Sequence, residues 1–123
     1  MELNDYQKQA MTTCMPSSEN FSYMFLNLVG EVGEFASKVA KAIRKGKMMI
    51  GGLACNELSF MHHEERYAEL EEGLKKEAGD ILWQLSGLCD VMGWSLEEVA
   101  QQNLDKLASR KERNVIDGSG DNR

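Results

Sequence analysis

The sequence predicts an all-α domain built as a four-helix bundle, on three observations. Proline occurs once in 123 residues, at Pro16, so little interrupts helix propagation. Apolar residues recur at intervals of three and four along two long stretches. The alternating apolar and polar runs that mark strands are missing. A chain of this length forms one domain with a hydrophobic core, expected over residues 1–113 with a flexible tail at 114–123.

The first helix is expected over about residues 4 to 13, stopped by Pro16. The second starts after Ser17-Ser18-Glu19-Asn20 and runs to about residue 44. Its stripe is Phe21, Phe25, Leu28, Val32, Phe35, Val39 and Ile43. Residues 46–63 are glycine-punctuated and rich in methionine, and read as a long inserted loop with a short helix near residues 54–61. The third helix spans about residues 64 to 92, with a stripe at Tyr67, Leu70, Leu74, Ala78, Ile81, Leu85, Leu88 and Met92, and Gly93 closes it. Ser95-Leu96-Glu97-Glu98 is a capping box that opens the fourth helix, which continues to about residue 110. The Gly/Ser/Asp/Asn-rich tail has no periodicity.

Composition narrows the function. Hydrophobic residues make up 42% and charged residues 28%, with a net charge of −6. A nucleic-acid binder needs a basic face to neutralise phosphates, so no nucleic-acid polymer is expected as partner. A phosphorylated small molecule is still compatible where divalent cations reverse the local sign. Cys14, Cys55 and Cys89 fit no zinc spacing and read as reduced thiols of a cytoplasmic protein. No membrane association is expected, because no apolar stretch approaches the ~20 residues a span requires. His62 and His63 are adjacent and read as surface histidines.

Two segments carry the same pattern of acid, apolar, glycine, acid, apolar: Glu31-Val32-Gly33-Glu34-Phe35 and Glu77-Ala78-Gly79-Asp80-Ile81. At roughly 100° per residue, the acids of each pair lie about 60° and 120° to the same side of the apolar stripe. They edge the core, where a partner helix packs. If the two helices run antiparallel, four carboxylates converge. Such a cluster repels itself, and a hard divalent cation with oxygen ligands relieves it. Lys38 is also placed to neutralise part of the charge. Acid pairs at this spacing are common on solvated faces; repetition of the whole pentapeptide points to a site. Glycine within each motif costs roughly 1 kcal/mol relative to alanine, which points to close approach of a neighbouring helix or subunit.

The run Leu28-Val29-Gly30-Glu31-Val32-Gly33-Glu34, followed by Glu77-Ala78-Gly79-Asp80-Ile81-Leu82-Trp83, resembles the E-x-x-E … E-x-x-D signature of MazG-like nucleoside triphosphate pyrophosphohydrolases. The likeness continues through Ser95–Ala100, Asn103–Leu107 and the ending Gly118-Ser119-Gly120-Asp121-Asn122-Arg123. Two departures stand out: the interval 35–76 is longer than in typical members, and Asn114 stands where such tails often carry glycine.

The resemblance implies an all-α enzyme, assembled as a dimer or tetramer, that splits a nucleoside triphosphate into monophosphate and pyrophosphate. It implies Mg²⁺, with Mn²⁺ as substitute, held by Glu31, Glu34, Glu77 and Asp80. Glu34 is the candidate general base. Lys38, Asn103 and Lys106 are the candidate substrate-binding residues. Trp83, opposite the apolar stripe, is expected to be an oligomer contact or a platform for a base, and the oligomer contact is favoured. The tail residues Arg113, Ser119, Asp121 and Arg123 are candidates to order over bound phosphates. A dUTP or dCTP pyrophosphatase, a phosphoribosyl-ATP pyrophosphohydrolase and a non-catalytic helical interaction domain are the alternatives. No base-recognition code is legible.

Overall fold

A computed structural model describes residues 1–51, 57–60 and 64–123. The helices are α1 (Leu3–Met11), α2 (Phe21–Arg44), α3 (Glu64–Val91) and α4 (Leu96–Glu112), with one 3₁₀ turn at Pro16–Ser18. The four expected helices are present.

Local chemistry fixes their ends. Asn20 opens α2, its side-chain oxygen accepting from the Tyr23 N–H at 2.8 Å. Ser95 does the same for α4, accepting from the Glu98 N–H at 3.2 Å while donating to Asn4 Oδ1 at 2.6 Å. Two long helices end alike: Gly46 and Gly93 take positive φ, 69° and 72°. The next N–H reaches back to a carbonyl of the last turn, Lys47 to Ala42 and Trp94 to Cys89, each at 2.8 Å.

The connection between α2 and α3 departs from expectation. Met48–Gly51 (β1) and Glu57–Phe60 (β2) pair as an antiparallel hairpin, Met48 opposite Phe60 and Gly51 opposite Glu57. Residues 57–60 are therefore strand and not part of a short helix; the rest of that expected helix, with Cys55, His62 and His63, lies outside the described residues. Glu57-Leu58-Ser59-Phe60 alternates polar and apolar, a strand pattern too short to stand out alone.

The long helices α2 and α3 lie against each other in antiparallel register. A Cβ on Gly87 would fall 2.4 Å from Met24 Sδ, and one on Gly73 would fall 3.8 Å from Lys38 Nζ. Apolar packing closes both ends of this pair. At the hairpin end Ala42, Met48 and Leu74 form a buried cluster, with Phe35, Val39 and Leu70 against it. At the other end Met24, Cys89, Ala10 and Leu96 are buried where α1 and α4 join.

Polar bonds fix that second end. Gln7 is buried; its Nε2 donates to the Ser86 and Trp94 carbonyls (3.4 and 3.0 Å) and its Oε1 accepts from the Leu96 N–H (2.9 Å). Trp83 Nε1 donates to the Ala10 carbonyl at 3.1 Å and to Thr13 Oγ1 at 2.9 Å. Trp83 therefore ties α3 to α1, and the side of α3 expected to be exposed is half-buried there. One apolar stripe faces α2 and a second side of α3 faces α1, so the helix is covered on both.

The apolar stripes are only partly covered within one chain. Phe21, Phe25, Val29 and Val32 of α2 are exposed, as are Leu82 and Leu85 of α3. The tail folds back on α4: Arg110 donates to the Gly120 and Asp121 carbonyls, and Arg123 Nε to the Val115 carbonyl. Among the described residues no helix is long and apolar enough to cross a membrane.

Candidate metal centre

The carboxylates sit mid-seam, between the two apolar ends. The register that sets Met24 against Gly87 and Lys38 against Gly73 brings Glu34 beside Glu77 and Glu31 beside Asp80. Glu31, Glu34 and Glu77 each offer an oxygen, and these oxygens lie within 4.8 Å of one another. Glu77 is buried, Glu31 half-buried and Glu34 exposed, so the cluster opens to solvent along one edge.

Asp80 is exposed and stands outside that tight trio. It is still part of the same field. Burial pushes the Glu31 carboxyl above the usual range, and the charges of Glu34, Asp80 and Glu77 push it further. The Asn27 amide, donating from Nδ2 to Glu31 Oε1 at 3.3 Å, works in the opposite direction. From α1, the Tyr6 phenol is raised by burial and by the charge of Asp80.

Cationic relief comes from one side. Lys38 Nζ lies 2.5 Å from Glu77 Oε1. Glu77 Oε2 is buried and has no hydrogen-bond partner among the described residues. A buried, unpartnered carboxylate oxygen beside two further carboxylates is an all-oxygen donor set, which suits a hard cation such as Mg²⁺.

Gly33 and Gly79 have open space where a Cβ would stand, with no heavy atom within 4 Å. Among the described residues no helix of the same chain approaches these glycines, so the part of the expectation that named a neighbouring helix is not met.

Asn103 and Lys106 lie elsewhere in the chain. Asn103 lines an apolar groove of about 480 Å³ with Leu3, Leu82, Leu85, Leu96 and Leu104. Lys106 faces the tail, 3.7 Å from Asp121 Oδ1, and Arg110 donates to the same oxygen at 3.2 Å. Leu82 and Leu85 stand about 80° to 140° around α3 from Glu77, so this groove is on another face.

Two residues at the seam were not singled out from the sequence. Asn27 precedes Glu31 by one turn and Gln84 follows Asp80 by one turn. Helical spacing alone was the available signal.

Comparison with known proteins identifies the family. The MazG nucleotide pyrophosphohydrolase domain matches residues 19–115. The "Gene 37 protein" of Mycobacterium phage L5 is 36% identical over 130 aligned positions that cover 100% of both chains. No solved structure matches. The matched residues contain both acid motifs and the helices that pack them, and the chain belongs to the MazG nucleotide pyrophosphohydrolase domain family.

Proposed function

We propose that this protein is a Mg²⁺-dependent pyrophosphohydrolase that splits nucleoside triphosphates, ribo or deoxyribo, into the monophosphate and pyrophosphate. The observation that carries the reading is the convergence of Glu31, Glu34 and Glu77 in a half-buried seam, in a chain of this family. Asp80 completes the ligand set from the solvent side. Bound there, Mg²⁺ (or Mn²⁺) would supply Lewis-acid polarisation of the phosphates and charge relief.

The residues do the rest. Glu34 is the most exposed of the three clustered acids, so it is the one that can reach a water and accept its proton as the water attacks phosphorus. The P–O bond of the α–β bridge breaks, and its oxygen stays with the departing phosphate group. Lys38 is 45% exposed and can swing from Glu77 to a phosphate oxygen.

Asn103 and Lys106 enter the site from a second copy. What supports this is the uncovered apolar surface on both halves of the molecule: Phe21, Phe25 and Val32 beside the seam, and the Leu82–Leu85–Leu104 groove around Asn103. A dimer or tetramer acting in the cytoplasm follows from this reading.

The test is a panel of common and modified nucleoside triphosphates with Mg²⁺, scored for pyrophosphate against orthophosphate. Pyrophosphate release that Glu34→Gln and Asp80→Asn each abolish, with the helical fold intact, is the expected result. Orthophosphate as sole product overturns the bond assignment. No product from any nucleotide favours a non-catalytic interaction domain.

A further inference from the structure

The same seam continues past the carboxylates at its α1 end. In the register set by Met24–Gly87 and Lys38–Gly73, Asn27 stands opposite Gln84. Gln84 lies within about 40° of both Glu77 and Asp80 around α3, so it shares their side of the helix. It is 3% exposed, and its side-chain oxygen has no hydrogen-bond partner among the described residues. A buried amide oxygen left without a donor is costly, and groups of this kind are found where something else supplies the donor.

The seam is chemically polar along its length. Lys38 marks one end with an ammonium group; Asn27 and Gln84 mark the other with neutral amides. A polyphosphate is drawn to the ammonium end, and the uncharged part of a nucleotide to the amide end. Gln84 lies about 6 Å of axial rise beyond Asp80, a sugar's length from a phosphate held at the acids. Asn27 uses its Nδ2 on Glu31, so its remaining polar atom is also an acceptor oxygen.

Resting on the hydrolase reading above, we propose that Asn27 and Gln84 form the nucleoside end of the site, with Gln84 Oε1 accepting an N–H from the base. Gln84 is then a specificity-determining residue. Sites built to hydrogen-bond a substrate N–H reject analogues without it, because the protein group is left unpaired.

The test compares wild type with Gln84→Leu and Gln84→Met, the second keeping the length of the side chain should the first not fold. Two quantities are read: kcat/KM for dATP, dCTP, dGTP, dTTP and dUTP, and affinity for their non-hydrolysable α,β-methylene analogues with Mg²⁺. For the preferred base a loss of about tenfold to a hundredfold is expected, carried by KM and by analogue affinity more than by kcat. Discrimination between bases narrows, while Mg²⁺ affinity measured without nucleotide stays unchanged. An equal loss for every base, or no loss, overturns the assignment. So does a change confined to the ratio of ribo- to deoxyribonucleotides, read by adding ATP, CTP, GTP and UTP to the same panel, which would put Gln84 on the sugar. Wild-type analogue binding without pyrophosphate release sinks the hydrolase reading but leaves the base contact readable by affinity. Absence of both overturns both.

Discussion

Adding a single methyl group at Gly87 tests the helix register on which the whole site depends. A Cβ there would stand 2.4 Å from Met24 Sδ and 2.6 Å from its Cε. Met24 is 0% exposed, so its tip cannot swing into water and must displace its neighbours. Overpacking of this kind costs about 1–3 kcal/mol. Alanine's helix preference over glycine returns about 1 kcal/mol, leaving Gly87→Ala less stable by about 1 kcal/mol, with about 2 kcal/mol as the upper end. Urea denaturation of the metal-free protein reads this as a lower midpoint at unchanged slope. The decisive arm is a double-mutant cycle with Met24→Ala. With the thioether gone, Gly87→Ala has nothing to displace and becomes stabilising by about 1 kcal/mol, a coupling of about 2 kcal/mol. A Gly87→Ala protein that is more stable than wild type would refute the reasoning. Met24 would then not pack on Gly87, and the pairing of Glu34 with Glu77 would lose its support.

Lys38→Met removes the cation bonded to Glu77, whose other oxygen already lacks a partner. Because Lys38 is 45% exposed, solvent takes up part of the loss, and metal-free stability falls by about 1–2 kcal/mol. The urea midpoint difference between Mg²⁺ and EDTA widens; an unchanged difference would contradict the charge-relief role. Gln7→Leu removes three hydrogen bonds joining α1 to α3 and α4. It leaves buried backbone groups unpaired, costing about 2–4 kcal/mol with hydrogen-exchange protection lost first in α1, and uniform protection would count against it. The tail responds to acid through Asp121, whose carboxyl is held below its ordinary 3.8 first by the hydrogen bond from Arg110, then by the charges of Lys106 and Arg110. A lowered folded-state value contributes stability above the unfolded value and loses it as pH falls through the folded one. Tail amide signals in NMR should stay native at about pH 5 and shift together only below 3.8; movement already at neutral pH would exclude the carboxylate.

Much of this was legible where the signal is local. Asn20, Ser95 and Gly93 end helices through bonds within a few residues, so reading them needs no knowledge of the fold. The i, i+3 acids were equally readable, because two positions on one helix share a face wherever that helix goes. What failed depended on a second element. Trp83 looked exposed on a wheel drawn for one stripe, yet α1 covers that side. The hairpin is specified by pairing Met48 with Phe60 across the turn, which four-residue strands announce weakly. Phe25 and Val32 fit the core period and remain exposed, because periodicity says which face is apolar and not what covers it. Asn27 and Gln84 carry no signal as residue types; burial and an unpartnered oxygen mark Gln84, and the bond to Glu31 marks Asn27.

The carboxylate seam is bounded by apolar packing at both ends, Ala42–Met48–Leu74 on one side and Met24–Gly87 on the other. The spacing between α2 and α3 is therefore set at both ends by apolar contacts, and between them the Lys38–Glu77 ion pair also joins the two helices. Scaffold and chemistry are largely separately specified. A lineage could exchange the acids, the amides or Lys38 for other polar groups and keep the same fold, so new substrates, or loss of catalysis altogether, lie within a few substitutions of this sequence.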